Sequence, residues 1–136
     1  MNLDEKKQSI EEMAKTHRLK MVLIFGSAAT GKSHPQSDID IAVKLSEASI
    51  NFTDFADLQY DMQKIFPSGE VDLAIINYAD PLFLKKIMET AILLYGNKKD
   101  LAELKIYAYK RYVDHQRYFN LEKNYVDKFI ARRKTA

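Results

Sequence analysis

Hydrophobic and polar positions along this chain switch between a helical period and a strand period. From Asp4 to His17, Ile10, Met13 and Ala14 share one helical face and charge fills the rest, which predicts an amphipathic helix. Lys20 to Phe25 is a short apolar run ending at Gly26, the pattern of a buried strand. Asp38 to Leu45 alternates with period two: Ile39, Ile41, Val43 and Leu45 take one side, and Asp38, Asp40, Ala42 and Lys44 the other. Thr53 is the expected cap of a helix carrying Phe55, Leu58, Met62, Ile65 and Phe66, stopped by Pro67 and Ser68-Gly69. Glu70 to Ile76 predicts a third strand. Asp80-Pro81 reads as cap and first helical residue of a segment through Leu82, Phe83, Ile87 and Met88, and Ala91 to Tyr95 as a short fourth strand closed by Gly96-Asn97. From Asp100 to about Arg132 there is no Gly or Pro, so one long helical stretch is expected, with an interruption near Asn120.

This order predicts an α/β chain of the α+β kind, a single domain over residues 1–136 with a core of about 1–96 and a helical segment of about 100–132. Its length allows one real core and little more. The absence of cysteine excludes disulfides, thiolate metal sites and a cysteine nucleophile. With no segment apolar enough to span a bilayer, and a polar N-terminus, the expectation is a soluble cytoplasmic protein. Net charge of +2, from 21 basic and 19 acidic residues, gives no reason to expect nucleic-acid binding. Lys98-Lys99 and Arg132-Arg133-Lys134 read as solvated surface.

Candidate chemistry concentrates between the first two strands, where two phosphate-binding patterns overlap. Gly26 to Ser33 matches G-x-x-x-x-G-K-[ST], the P-loop, which must point a helix N-terminus at the phosphates from about Gly31 to Ser33. Pro35, the turn formers Gln36 and Ser37 and the strand that follows leave no such helix. The second pattern is Gly26-Ser27 followed by Asp38-Ile39-Asp40, a metal-dependent nucleotidyltransfer signature. On a strand, Asp38 and Asp40 share a face about 7 Å apart while Ile39 turns into the core. Unbridged, the two repel; a magnesium ion turns that repulsion into a site, because hard cations take carboxylate oxygens and keep substrate phosphates in the remaining positions. Gly26 allows close backbone approach, and the Ser27 hydroxyl and amide suit a triphosphate.

A third carboxylate completes a two-metal site. Asp72 shares a face with Glu70 and Ala74, opposite Val71, Leu73 and Ile75, and stands beside the first pair if the strands are neighbours. Its expected role is to hold the metal that activates the attacking hydroxyl and to accept its proton, while the other metal neutralises pyrophosphate. Glu70 competes but sits beside a turn; a plain solvent-facing strand residue is the bland reading of Asp72. His17, His34 and His115 show no metal-ligand spacing and read as exposed helix or loop residues, with a nucleotide contact open to His34. The aromatics Tyr107, Tyr109, Tyr112, Tyr118, Phe119 and Tyr125 have two readings, packing on the sheet or each other, or forming a partner-binding face.

Phe25-Gly26-Ser27, Gly31, Ser37-Asp38-Ile39-Asp40-Ile41, Val71-Asp72-Leu73 and Leu93-Leu94-Tyr95-Gly96 together resemble the minimal nucleotidyltransferases of the DNA polymerase beta superfamily. The resemblance implies a mixed sheet with flanking helices and AMP transfer from ATP. It makes Asp38, Asp40 and Asp72 the catalytic ligands of two Mg2+ ions and sets Gly26 and Ser27 at the phosphates. It also implies a helical HEPN ribonuclease toxin as partner, neutralised by adenylylation of a tyrosine. Many members carry arginines after the Gly-Ser pair; Ala28 and Thr30 stand there, which leaves Lys32 as the loop's phosphate-binding cation. Two other readings remain: an antitoxin that neutralises by binding alone, and a small-molecule transferase of the aminoglycoside type working as a homo-oligomer. The short region after Gly96 favours acceptor recognition by a protein partner over an appended acceptor domain.

Overall fold

The computed structural model describes residues 2–31 and 38–134. Helix α1 (Leu3–Thr16) leads into β1 (Leu19–Phe25), a one-turn helix α2 (Ser27–Thr30) and β2 (Ile39–Leu45). Helix α3 (Phe52–Ile65), β3 (Val71–Ile75), a 3-10 turn (Ile76–Tyr78), α4 (Pro81–Thr90), β4 (Ile92–Tyr95) and α5 (Lys98–Lys134) follow. The strands form one mixed sheet in the order β3-β2-β1-β4. β1 runs antiparallel to β2 and β4, while β2 and β3 are parallel neighbours joined through α3.

Alternation along each strand divides the core in two. Val22 and Ile24 of β1 and Ile39, Ile41 and Val43 of β2 face α1 and α3, meeting Ile10, Ala14, Leu58, Met62 and Phe66. Met21, Leu23, Phe25 and Ala42 face the other way, onto Leu84 and Ile87 of α4 and Leu104 and Ala108 of α5. Each fully buried side chain of this size contributes about 1.5–3 kcal/mol, so both layers hold the strands in a fixed register.

Local chemistry explains most element ends. Asp80 caps α4 through Phe83 N–H, with Pro81 at the first helical position, as its sequence predicts. The cap of α3 is Asn51 instead of Thr53, its Oδ1 accepting from Asp54 N–H at 2.8 Å. Both residue types cap well, and the helix opens two residues earlier than expected, with Phe52 itself exposed. His17 closes α1 and bonds Asp61 of α3 at 2.7 Å, so it ties two helices together instead of standing free in solvent.

Helix α5 continues through Asn120 without a break over 37 residues, about 55 Å at 1.5 Å per residue. Asn has low helix propensity, and one such residue costs too little to stop a long helix. Leu104 and Ala108 are buried, but every residue from 116 to 133 is exposed. Of the aromatics with two readings, Tyr107, Tyr109, Tyr118, Phe119 and Tyr125 are all exposed, and Tyr112 is partly covered with Lys85 over its ring. The sheet is too short to cover a helix of this length.

The turn before β3 is tied by two glutamines one helical turn apart on α3. Gln63 accepts from Val71 N–H at 2.9 Å and donates to the carbonyls of Phe66 and Gly69, while Gln59 donates to the Val71 carbonyl at 2.7 Å. Gln63→Ala would leave the Val71 amide without its partner, at about 1–3 kcal/mol for a half-buried group. Chemical denaturation should show that loss as a lower midpoint with an unchanged slope.

Candidate functional site

Strand directions bring three chain segments to one end of the sheet. Because β1 is antiparallel to β2 and β2 parallel to β3, the exit of β1 lies beside the entrances of the other two. Phe25 pairs with Asp40, and Asp40 pairs with Asp72. The Ile39 amide donates to the Glu70 carbonyl at 2.8 Å, which starts the parallel ladder. Asp40 and Asp72 lie on the face that carries Ala42 and Ala74 toward α4 and α5. Asp38, two residues before Asp40 and exposed, precedes the strand.

Neighbouring strands lie about 4.8 Å apart, so this register sets like charges side by side. Burial pushes the Asp40 carboxyl above the ordinary carboxylate range; the Asp72 and Asp38 charges push it further, and Lys86 of α4 opposes them. All three carboxylates therefore act on one point, although the described side chains as they stand do not bring three potential ligands close enough to enclose a metal ion. Their chemistry suits magnesium: hard oxygen donors, clustered negative charge and an open side where phosphate oxygens complete the coordination.

Gly26 turns the chain out of β1 with φ +70° and ψ −150°, a combination open almost only to glycine. A Cβ there would stand 2.5 Å from Asp40 Oδ2. Glycine is thus required twice, by the backbone angle and by the carboxylate packed over it. The Gly26 amide donates to Thr90 Oγ1 at the end of α4 at 2.7 Å, and its carbonyl accepts from Ala29 and Thr30 to open α2. The Gly26 amide is thereby taken up by the fold. By helix geometry, the Ser27 and Ala28 amides have no partner within α2.

The one-turn α2 has no counterpart among the elements expected from sequence. It ends at Gly31, in the left-handed region at φ +74°, and the chain returns as a strand antiparallel to β1. A P-loop needs a helix that opens at this glycine, and here one closes. Lys32 and His34 lie outside the described residues.

Sequence reasoning missed Thr90, Lys86, Gln59 and Gln63, all on helices whose polar faces look ordinary in one dimension. The one available signal was the run Phe83, Lys86, Thr90, at spacings of three and four on a single face of α4. The cleft lined by Thr16, His17, Leu45 and Asn51 opens at the far end of β2, away from Asp40.

The family model described as "Polymerase beta, Nucleotidyltransferase" matches residues 8–100. No curated protein is significantly similar in sequence. A chain in the crystal structure of a toxin-antitoxin with AMP-PNP superposes with a TM-score of 0.69 at 18% identity, covering 92% of this chain and 98% of that one. A chain from the tri-AMPylated Shewanella oneidensis HEPN toxin in complex with MNT antitoxin gives 0.66 at 15% identity, covering 96% and 99%. Spectinomycin adenyltransferase AAD(9) from Enterococcus faecialis, with ATP and spectinomycin, gives 0.52 at 19% identity, covering 76% of this chain and 59% of that protein. At these identities the likeness is one of fold: the mixed sheet and flanking helices expected from sequence are those of the nucleotidyltransferase fold.

The raised Asp40 carboxyl fixes the sign of a stability effect. The native state holds this proton more tightly than the unfolded chain, so its contribution is present below the ordinary carboxylate range and is lost as pH rises through the raised value. Asp40→Asn removes the repulsion and should raise the thermal midpoint by a few degrees at pH 7, with the difference closing below pH ~4. Melting curves of both proteins across that range check the sign; a less stable variant at pH 7 contradicts it.

Proposed function

This chain belongs to the polymerase beta nucleotidyltransferase family, and we propose that within it the protein transfers AMP from ATP to a hydroxyl, a tyrosine of a HEPN-type toxin, and so acts as its antitoxin. One observation carries the reading: Gly26-Ser27, Asp38, Asp40 and Asp72 meet at a single sheet end, with Asp40 in register with Asp72. The likeness in fold to chains from complexes described with AMP-PNP and with a tri-AMPylated HEPN toxin supports the donor and the acceptor.

In this reading the Ser27 and Ala28 amides and the Ser27 hydroxyl hold triphosphate oxygens, with Lys32 the cation expected from the same loop. Asp38, Asp40 and Asp72 would hold magnesium, which when bound supplies positive charge to the triphosphate and to the leaving pyrophosphate. The acceptor oxygen forms a bond to the α-phosphorus as the bond from that phosphorus to the β-phosphate bridging oxygen breaks, and the acceptor proton passes to Asp72, the most exposed of the strand carboxylates. Gly26 keeps the Asp40 carboxylate close to the turn because no Cβ intervenes.

Acceptor recognition falls to α5. Its outer half exposes Tyr118, Phe119, Leu121, Tyr125, Val126, Phe129 and Ile130, more apolar surface than a helix free in water normally shows. Phe119, Val126 and Phe129 continue the stripe that starts with buried Leu104 and Ala108, so a partner helix laid there would extend the protein's own core.

Two experiments test this reading. Incubation with ATP, magnesium and a HEPN-type toxin that this chain binds should raise the toxin's intact mass in adenylate steps, and Asp38→Asn with Asp40→Asn should abolish the gain while leaving the complex intact. A stable complex with no gain would instead support neutralisation by binding alone. Separately, Phe119→Ser with Phe129→Ser should weaken complex formation at least ~10-fold, as expected for apolar interface anchors, with no change in the melting midpoint. Unaltered affinity by calorimetry would remove α5 from the interface.

A further inference from the structure

We propose that Lys86 of α4 is a binding residue of this site, the cation that meets the polyphosphate of the donor nucleotide, held over it by contacts one turn to either side. The inference rests on the nucleotidyltransferase reading and adds to it a residue that none of the sequence motifs contains.

The geometry comes from two contacts that bracket Lys86. One turn before it, the Phe83 ring meets Phe25 edge-on with centroids 6.2 Å apart. One turn after it, Thr90 Oγ1 accepts the Gly26 amide at 2.7 Å. Residues 83, 86 and 90 lie along one helical face, so Lys86 stands between two points fixed to the exit of β1. Phe25 is in register with Asp40 on the same sheet face, which sets Lys86 on the carboxylate side of the sheet. Its charge reaches Asp40 and opposes the effect of Asp72 and Asp38 there.

Lys86 is itself exposed, whereas Ile87 and Met88 beside it are buried. The core therefore anchors the helix while the ammonium group remains free to move. Asp38, Asp40 and Asp72 would hold a divalent cation, which when bound would neutralise their charge and leave the Lys86 ammonium available to the triphosphate. A flexible lysine on a fixed helix is suited to follow that charge as a point cation. In the transfer step, the bond from the α-phosphorus to the bridging oxygen breaks with its electron pair going to pyrophosphate, and a nearby ammonium stabilises the charge that accumulates there. It also supplies a cation that the loop positions Ala28 and Thr30 do not.

Thr90 is a positioning residue in this scheme, because it accepts the Gly26 amide.

The test is calorimetric titration of the full chain with α,β-methylene ATP and, separately, AMP, both with magnesium and without acceptor. Lys86→Met keeps the alkyl stem and removes the charge, and it should weaken binding of the triphosphate analogue roughly 10- to 100-fold, the range for one charged hydrogen bond, with AMP affinity unchanged. Lys86→Arg should stay within about threefold of the parent, as expected when the charge is retained. Melting midpoints verify that both variants fold. Equal affinity of parent and Lys86→Met for the analogue overturns the assignment and leaves the transferase reading standing. An equal loss for AMP and the analogue also overturns it, by pointing to a general disturbance of the site. Failure of the parent itself to bind either nucleotide overturns the transferase reading and the role of Lys86 with it.

Discussion

Like charges held side by side are the constraint around which this molecule is built. A parallel pairing that sets Asp40 against Asp72 costs free energy in the absence of a cation, and the Asp72 charge adds to the burial that raises the Asp40 carboxyl. Such an arrangement persists only if the surrounding structure enforces it. The enforcement comes from apolar alternation: Ile39, Ile41 and Val43 fit the α1–α3 core, and a slip of one residue would turn all three out to solvent. Burial of those side chains, at about 1.5–3 kcal/mol each, outweighs repulsion between half-exposed carboxylates, which is worth about 1 kcal/mol or less. The charge cluster is stored strain that a divalent cation and a polyphosphate would relieve.

The same economy governs α4. One face of it, Leu84, Ile87 and Met88, is core. Its neighbouring face carries Phe83, Lys86 and Thr90 to the exit of β1, where Thr90 takes the Gly26 amide. Any shift of this helix is felt at Gly26 and through it at Asp40, whose carboxylate fills the space where a Cβ would be. Packing and chemistry are coupled through a single hydrogen bond and a missing methyl group. The glutamine pair on α3 does the same for β3, fixing the residue before Asp72 by both its backbone groups.

Much of this was legible in one dimension because it is periodic. The strand around Asp40 alternates cleanly, and the cap at Asp80-Pro81 is local, so both follow from neighbouring residues alone. The strand neighbourhood that joins Asp72 to Asp40 was conditional in the sequence and rests on a crossover that no local pattern encodes. Thr90, Lys86, Gln59 and Gln63 were invisible for a related reason: a polar residue on an amphipathic helix looks solvated until its partner, 3 to 64 positions away, is known. The one-turn α2 was hidden because four residues carry no period, and Asn51 and Thr53 are both good caps that local preference alone does not separate.

Helix α5 is where local and global demands diverge most. Nothing in its 37 residues breaks a helix, so it grows past the edge of the sheet that covers its first third. An isolated helical extension gains little from propensity alone and is normally polar where it meets water. Here the extension instead continues the apolar stripe with Phe119, Val126 and Phe129, and basic residues outnumber acidic ones along its length. The exposed stripe is a cost to the free protein, and a partner surface that is apolar at its centre and acidic at its rim would recover it.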